Sequence, residues 1–154
     1  MHDWSKFSPT EFWESIKYYD GHKSPITVCK ADKGYSEAWL HHKWRNKHHP
    51  EYWVDLALPG EKTVIMPYKY AAEMICDKIA AGIVYNGKDW TLDTQINYYI
   101  REREKIFINP QIDKFMMATF TEVSKNGLDK TLTKQNIKKL YEKYCIRMEN
   151  LDEN

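Results

Sequence analysis

No apolar run in this 154-residue chain approaches the roughly 18 residues that a bilayer-spanning helix needs. The opening Met1-His2-Asp3-Trp4-Ser5-Lys6 lacks the basic and apolar regions of a secretory leader, so a cytoplasmic location is expected. Cysteine is scarce. Cys29, Cys76 and Cys145 are odd in number, widely separated and without a CxxC pair, which argues against a disulfide framework and fits buried thiols in a reducing compartment. There is no Gly-rich phosphate loop of the Walker or dinucleotide type. Charge of one sign is also missing. Lys plus Arg number 23 against 22 Asp plus Glu, giving a formal +1, so neither nucleic acid nor a membrane is expected as a partner. No internal repeat and no long linker divides the chain, and a single domain over 1–148 with a frayed tail over 149–154 is expected.

What is present is aromatic. Six Trp and eleven Tyr, with 42% hydrophobic residues, exclude a disordered chain. A mean hydropathy of -0.73 and 29% charged residues indicate a wet surface.

The punctuation is that of helices. Ser8-Pro9-Thr10-Glu11 reads as a capping box with Pro at the first helical position, followed by Phe12, Ile16 and Tyr19 as an apolar stripe and Gly21 as a stop. His22 to Lys33 reads as a loop. A second helix is expected from Tyr35 to about His48, since Pro50 disfavours helical geometry at His49. Tyr52 to Met66, with Leu58-Pro59-Gly60-Glu61 in the middle, reads as a short hairpin. Further helices are expected from Pro67 to Gly82, Thr91 to Ile106 and Pro110 to Gly127, with a last one capped by Thr133. The expectation is an all-α domain of about six helices.

Metal-type ligands concentrate in three segments: His2-Asp3, His41-His42 with His48-His49, and Glu73 with Asp77. Residues seven apart on a helix differ by about 20° in direction, so His41 should point with His48 and His42 with His49. Glu73 and Asp77, four apart, share a helix face. Imidazoles and carboxylates together suit a divalent Mn, Fe or Zn ion, one or two of them, better than Ca. An ordinary structural role remains open for each: a wet helix end for the histidines, a polar helix edge for Glu73 and Asp77. His22, in the expected loop, reads as a bystander.

Two resemblances follow from these residues. His2-Asp3-x-x-Lys6 resembles the His-Asp-x-x-Lys signature of HD-domain metal-dependent phosphohydrolases, which are all-helical. That likeness implies His2, Asp3, His41, His42 and Asp77 as metal ligands. It makes Lys6, Arg45 and Asn46 the groups that hold a substrate phosphate, and His48, His49 and Glu73 added ligands or general acid/base groups. An HD site ordinarily also has a His upstream of the pair. Here Met1 directly precedes His2, which leaves three readings open: an incomplete site, His22 or another His in that place, or a true start that lies upstream.

The chain is more closely similar to a bacterial and phage family, domain of unknown function 5662. The similarity lies at His2-Asp3-Trp4-Ser5-Lys6-Phe7-Ser8-Pro9-Thr10-Glu11-Phe12, at Ala38 through His49 with Tyr52-Trp53, and at Met66-Pro67-Tyr68-Lys69-Tyr70 through Glu73, Asp77 and Gly82. This family brings no activity with it; the HD likeness implies a metal-dependent phosphohydrolase acting on a small phosphorylated molecule or nucleotide. The alternatives are a di-iron oxygenase of HD-like fold and a non-enzymatic accessory protein.

Overall fold

The computed structural model describes residues 3–145, so His2 and the tail expected to fray lie outside the described residues. Among the described residues the fold is all-α. The helices are α1 (Pro9–Lys17), α2 (Pro25–Lys33), α3 (Glu37–Arg45), α4 (Tyr68–Asn86), α5 (Thr94–Glu102), α6 (Pro110–Asn126), α7 (Leu128–Thr131) and α8 (Lys134–Tyr144), joined by short 3-10 turns. The chain forms two compact units, Met1–Tyr52 and Trp53–Asn154.

The first unit holds α1 to α3. A 3-10 turn over Trp4–Phe7 leads into α1, whose Ser8 Oγ accepts the Glu11 N–H at 3.4 Å behind Pro9. Only half of the expected capping box forms, because the Glu11 carboxylate turns into the interior instead of back to Ser8. The stripe is also reversed. Phe12, Ile16 and Tyr19 are exposed, while Glu11 and Tyr18 are buried. The segment expected as a loop contains α2. Ser24-Pro25 starts it, and Gly34, at φ 83°, ends it in the left-handed conformation that glycine adopts without strain.

Ser36 caps α3 by accepting the Trp39 N–H at 3.0 Å, and the helix stops at Arg45, sooner than expected. Asn46 takes an extended conformation there, and the His49 N–H bonds the Asn46 carbonyl at 3.0 Å. His48 and His49 therefore sit in a turn, and the seven-residue helical pairing with His41 and His42 does not arise.

The second unit carries the apolar core. Met74, Ile75 and Ile79 of α4, Tyr99 of α5, Phe115, Met116, Phe120 and Val123 of α6, and Ile137, Leu140 and Tyr141 of α8 are buried together. Each such side chain contributes about 1.5–3 kcal/mol by leaving water. The expected hairpin reduces to one antiparallel bridge, Val54 to Thr63, and no strand occurs among the described residues. Asn109 explains part of this: its side chain caps α6 through the Gln111 N–H and its Nδ2 donates to the Thr63 carbonyl at 2.9 Å, occupying a group a strand partner would use. α4 runs past Gly82 to Asn86. A Cβ at Gly82 would collide with the Gln95 side chain, so this glycine serves close helix packing, not termination. α5 begins at Thr94 and gives way at Arg103 to a 3-10 turn.

Candidate metal centre

The interior of the first unit is polar. Its buried residues include Asp3, Glu11, Ser36, His42 and His48, beside Tyr18, Cys29 and Ala38. Buried polar groups demand partners, because an unmade hydrogen bond costs about 1–3 kcal/mol. The partners here are side chains from distant parts of the segment.

Glu11 is the hub. Its Oε1 accepts from His41 Nδ1 at 2.6 Å and its Oε2 from His42 Nδ1 at 2.8 Å. Two adjacent histidines on α3 thus share one carboxylate from α1. In the tautomer that gives its Nδ1–H to Glu11, His42 offers Nε2 as a lone pair on the opposite side of the ring. That is the arrangement by which a carboxylate orients a metal-binding imidazole.

The atoms that Nε2 faces are equally telling. His42 Nε2 lies 3.4 Å from Asp3 Oδ1, and His48 Nε2 lies 3.5 Å from the same oxygen. These separations exceed the ordinary hydrogen-bond distance of about 2.9 Å. They match the spacing of neighbouring ligand atoms around a tetrahedral ion, about 3.3–3.6 Å for bonds of about 2.0–2.2 Å. His49 makes a second grouping with the same imidazoles, since one ligand atom from each of His42, His48 and His49 falls within 4.8 Å of the others. The three rings pack closely, with centroids 4.8 Å apart for His42 and His49 and 4.4 Å for His48 and His49. Imidazoles with or without a carboxylate are donors that suit Zn, Mn or Fe.

Asp3 reaches this position at a backbone cost. Its φ of 56° makes it the one non-glycine residue with positive φ among the described residues. Asp tolerates that conformation better than most residues, and strained backbone clusters at functional sites. Lys6, one turn on, pairs with Asp3 Oδ2 at 2.5 Å and keeps most of its surface exposed. Asn46 Nδ2 donates to Ser5 Oγ at 2.7 Å and to the His42 carbonyl at 2.8 Å, tying the Trp4–Phe7 turn to the end of α3. Ser5 Oγ stands 3.1 Å from His42 Nδ1. Trp39 walls the cluster, stacked on His42 at 6.2 Å and edge-on to His49 at 5.1 Å.

A second carboxylate fixes the frame. Glu14 accepts from Ser36 Oγ at 2.5 Å and from the Glu37 and Ala38 N–H groups, each at 3.1 Å, so it serves the N-terminus of α3. Burial pushes its carboxyl up, but the hydrogen bonds from Ser36, Ala38 and Glu37 outweigh burial and hold it below the ordinary value.

Of the residues singled out in the sequence, the structure brings together Asp3, Lys6, His41, His42, Asn46, His48 and His49 in the first unit, with His41 held to Glu11. Arg45 is exposed at the end of α3, and His22 is exposed. Glu73 and Asp77 lie on α4 of the second unit, both half-buried. Reading the sequence missed Glu11, Glu14, Ser5 and Trp39 as parts of the arrangement. The available signal was two acidic residues, three apart, on a helix otherwise rich in aromatics.

No curated protein and no solved structure matches the chain. A family model does, across residues 1–122, which takes in the whole of the histidine cluster and Asp3 with the Glu11 hub. The chain belongs to the Family of unknown function (DUF5662).

Proposed function

We propose that the protein is a metal-dependent hydrolase of a small phosphorylated molecule, with its metal centre at Asp3, His42, His48 and His49. The observation that carries the metal assignment is the convergence of His42 Nε2 and His48 Nε2 on Asp3 Oδ1 at ligand-to-ligand spacing. The hydrolase assignment is supported by the His-Asp-x-x-Lys pattern and by a lysine beside the carboxylate.

A divalent ion held by these groups would supply hydroxide by lowering the pKa of bound water toward neutrality. The chain's own residues do the rest. Glu11 holds His42 in the tautomer that offers Nε2. Asn46 and Ser5 fix the turn that carries Asp3. Lys6, largely in solvent, would receive a phosphate oxygen, and exposed Arg45 would be a second cation for it.

The test uses full-length protein without a His tag, loaded separately with Mn, Fe or Zn and assayed against nucleotides and phosphate esters. Asp3→Ala should lose bound metal and activity together. Lys6→Ala should keep its metal and lose mainly substrate binding or turnover, because it removes a charge-assisted contact and no ligand. Loaded wild-type protein that hydrolyses none of the panel would defeat the hydrolase reading, and an Asp3→Ala variant with full metal content would defeat the ligand assignment.

A further inference from the structure

Asparagine followed by glycine is a chemically labile pair, and the chain has it at Asn86-Gly87 and at Asn126-Gly127. Each pair closes a long helix, α4 in the first case and α6 in the second. Both asparagines are exposed. Both glycine N–H groups are held in the last helical turn, by the Ile83 carbonyl and by the Val123 carbonyl. The backbone therefore treats the two pairs alike, and the side chains differ. Asn86 Nδ2 donates to the Gly82 carbonyl at 2.7 Å. The Asn126 amide has no hydrogen-bond partner among the described residues.

We infer that Asn126 is a site of spontaneous deamidation in the folded protein and that Asn86 is shielded from it. The inference is independent of the hydrolase reading. When the last turn of α6 frays, the Gly127 nitrogen loses its proton to base and attacks Asn126 Cγ. A C–N bond forms, closing a five-membered imide. The Cγ–Nδ2 bond breaks, and Nδ2 leaves as ammonia. Solvent water then opens the imide at one of its two carbonyls, giving aspartate or isoaspartate. Glycine favours the attack because no Cβ obstructs the nitrogen. Elsewhere the following residue works against it. Asn109 precedes Pro110, whose nitrogen has no proton to lose, and Asn46, Asn97 and Asn136 precede Lys47, Tyr98 and Ile137. At Asn86 the amide must also give up the Gly82 carbonyl before its Cγ can turn toward Gly87. One exposed hydrogen bond of this kind slows the step by about 2- to 10-fold. The product matters to the fold. It sets a carboxylate at the C-terminal end of α6, where the helix dipole disfavours negative charge, and isoaspartate lengthens the main chain between α6 and α7.

The experiment ages the full chain in mildly alkaline buffer, once folded and once in concentrated urea. Peptide mapping by mass spectrometry reads conversion of amide to acid at each asparagine, and enzymatic methylation of isoaspartate reads the product. In the folded protein, with helicity confirmed by circular dichroism, Asn126 should convert about 2- to 10-fold faster than Asn86. In urea the two rates should converge, because the Gly82 bond is gone. Asn126→Gln should remove most of the isoaspartate formed in the folded protein, since its longer side chain disfavours the five-membered ring. Conversion of Asn86 first or at an equal rate in the folded protein overturns the inference. A preference for Asn126 that persists in urea overturns it too, because the neighbouring sequence and not the fold would then set the order. Folded protein that stays intact at Asn126 while the urea sample reacts overturns it as well.

Discussion

Glu11 sits between two histidines that lie thirty and thirty-one positions away, and its buried carboxylate serves both. Removing it takes the carboxylate acceptor from half-buried His41 and leaves buried His42 Nδ1 with Ser5 Oγ, 3.1 Å away. Glu11→Ala should therefore cost about 3 kcal/mol of stability, read by urea or thermal unfolding. Glu11→Gln keeps the shape and one acceptor, and should fold with a smaller penalty. Its imidazoles would be less well oriented, so metal affinity should fall by about 10- to 100-fold in competition with a chelator. A Glu11→Gln protein with wild-type affinity would refute the orienting role. At this scale the sequence told part of the story. The density of histidines between His41 and His49 marked the segment, and Asp3 and Lys6 were visible as a pair. Glu11 was hidden because a glutamate three residues after a serine has a sufficient local explanation as a cap, and nothing local reports a partner thirty residues on.

At the scale of the element, α1 and α3 are held by Glu14, whose carboxylate receives the hydroxyl of Ser36 and two backbone N–H groups at the start of α3. Its folded pKa lies below its ordinary value, the bonds from Ser36, Ala38 and Glu37 overcoming the opposing effect of burial. A carboxyl depressed on folding adds stability that is fully present above its unfolded value, near 4.5. That stability is lost as pH falls through the folded value. Glu14→Gln should therefore be less stable than wild type at pH 7, and the gap should close below about pH 4. Melts followed by far-ultraviolet circular dichroism across that range would show it, and a gap that stays constant with pH would contradict it. The helical starts at Ser8, Pro110 and Thr133 were legible because caps and a proline in the first helical turn are local chemistry. α2 carried the same Ser-Pro start as α1 but only a short, weakly apolar continuation, which reads equally as a loop. The orientation of α1 was not legible at all. An apolar stripe indicates a face to be covered, and it does not say whether the cover comes from the same chain.

The whole molecule joins two interiors of opposite character. The second unit buries aliphatic and aromatic side chains from four helices, the kind of core that sustains a fold unaided. The first unit, Met1–Tyr52, buries carboxylates and imidazoles with few hydrophobes. A segment of that length buries too little apolar surface to be more than marginal, and small domains of this kind are commonly secured by a metal. An ion bound to the folded state at a hundred times its dissociation constant adds about 2.7 kcal/mol. A rise of that size slows amide exchange roughly a hundredfold wherever exchange proceeds by opening of the stabilised unit. Hydrogen exchange read by mass spectrometry should therefore show peptides from α1 and α3 protected by added Zn or Mn and released by a chelator. Peptides from the centre of α6, where Phe115, Met116 and Phe120 are buried, should be indifferent to both. The Asp3→Ala variant should show no metal response in either unit. Protection in the first unit that ignores both metal and chelator would mean that the Glu11 hydrogen bonds alone hold this interior, and that the imidazole cluster is structural.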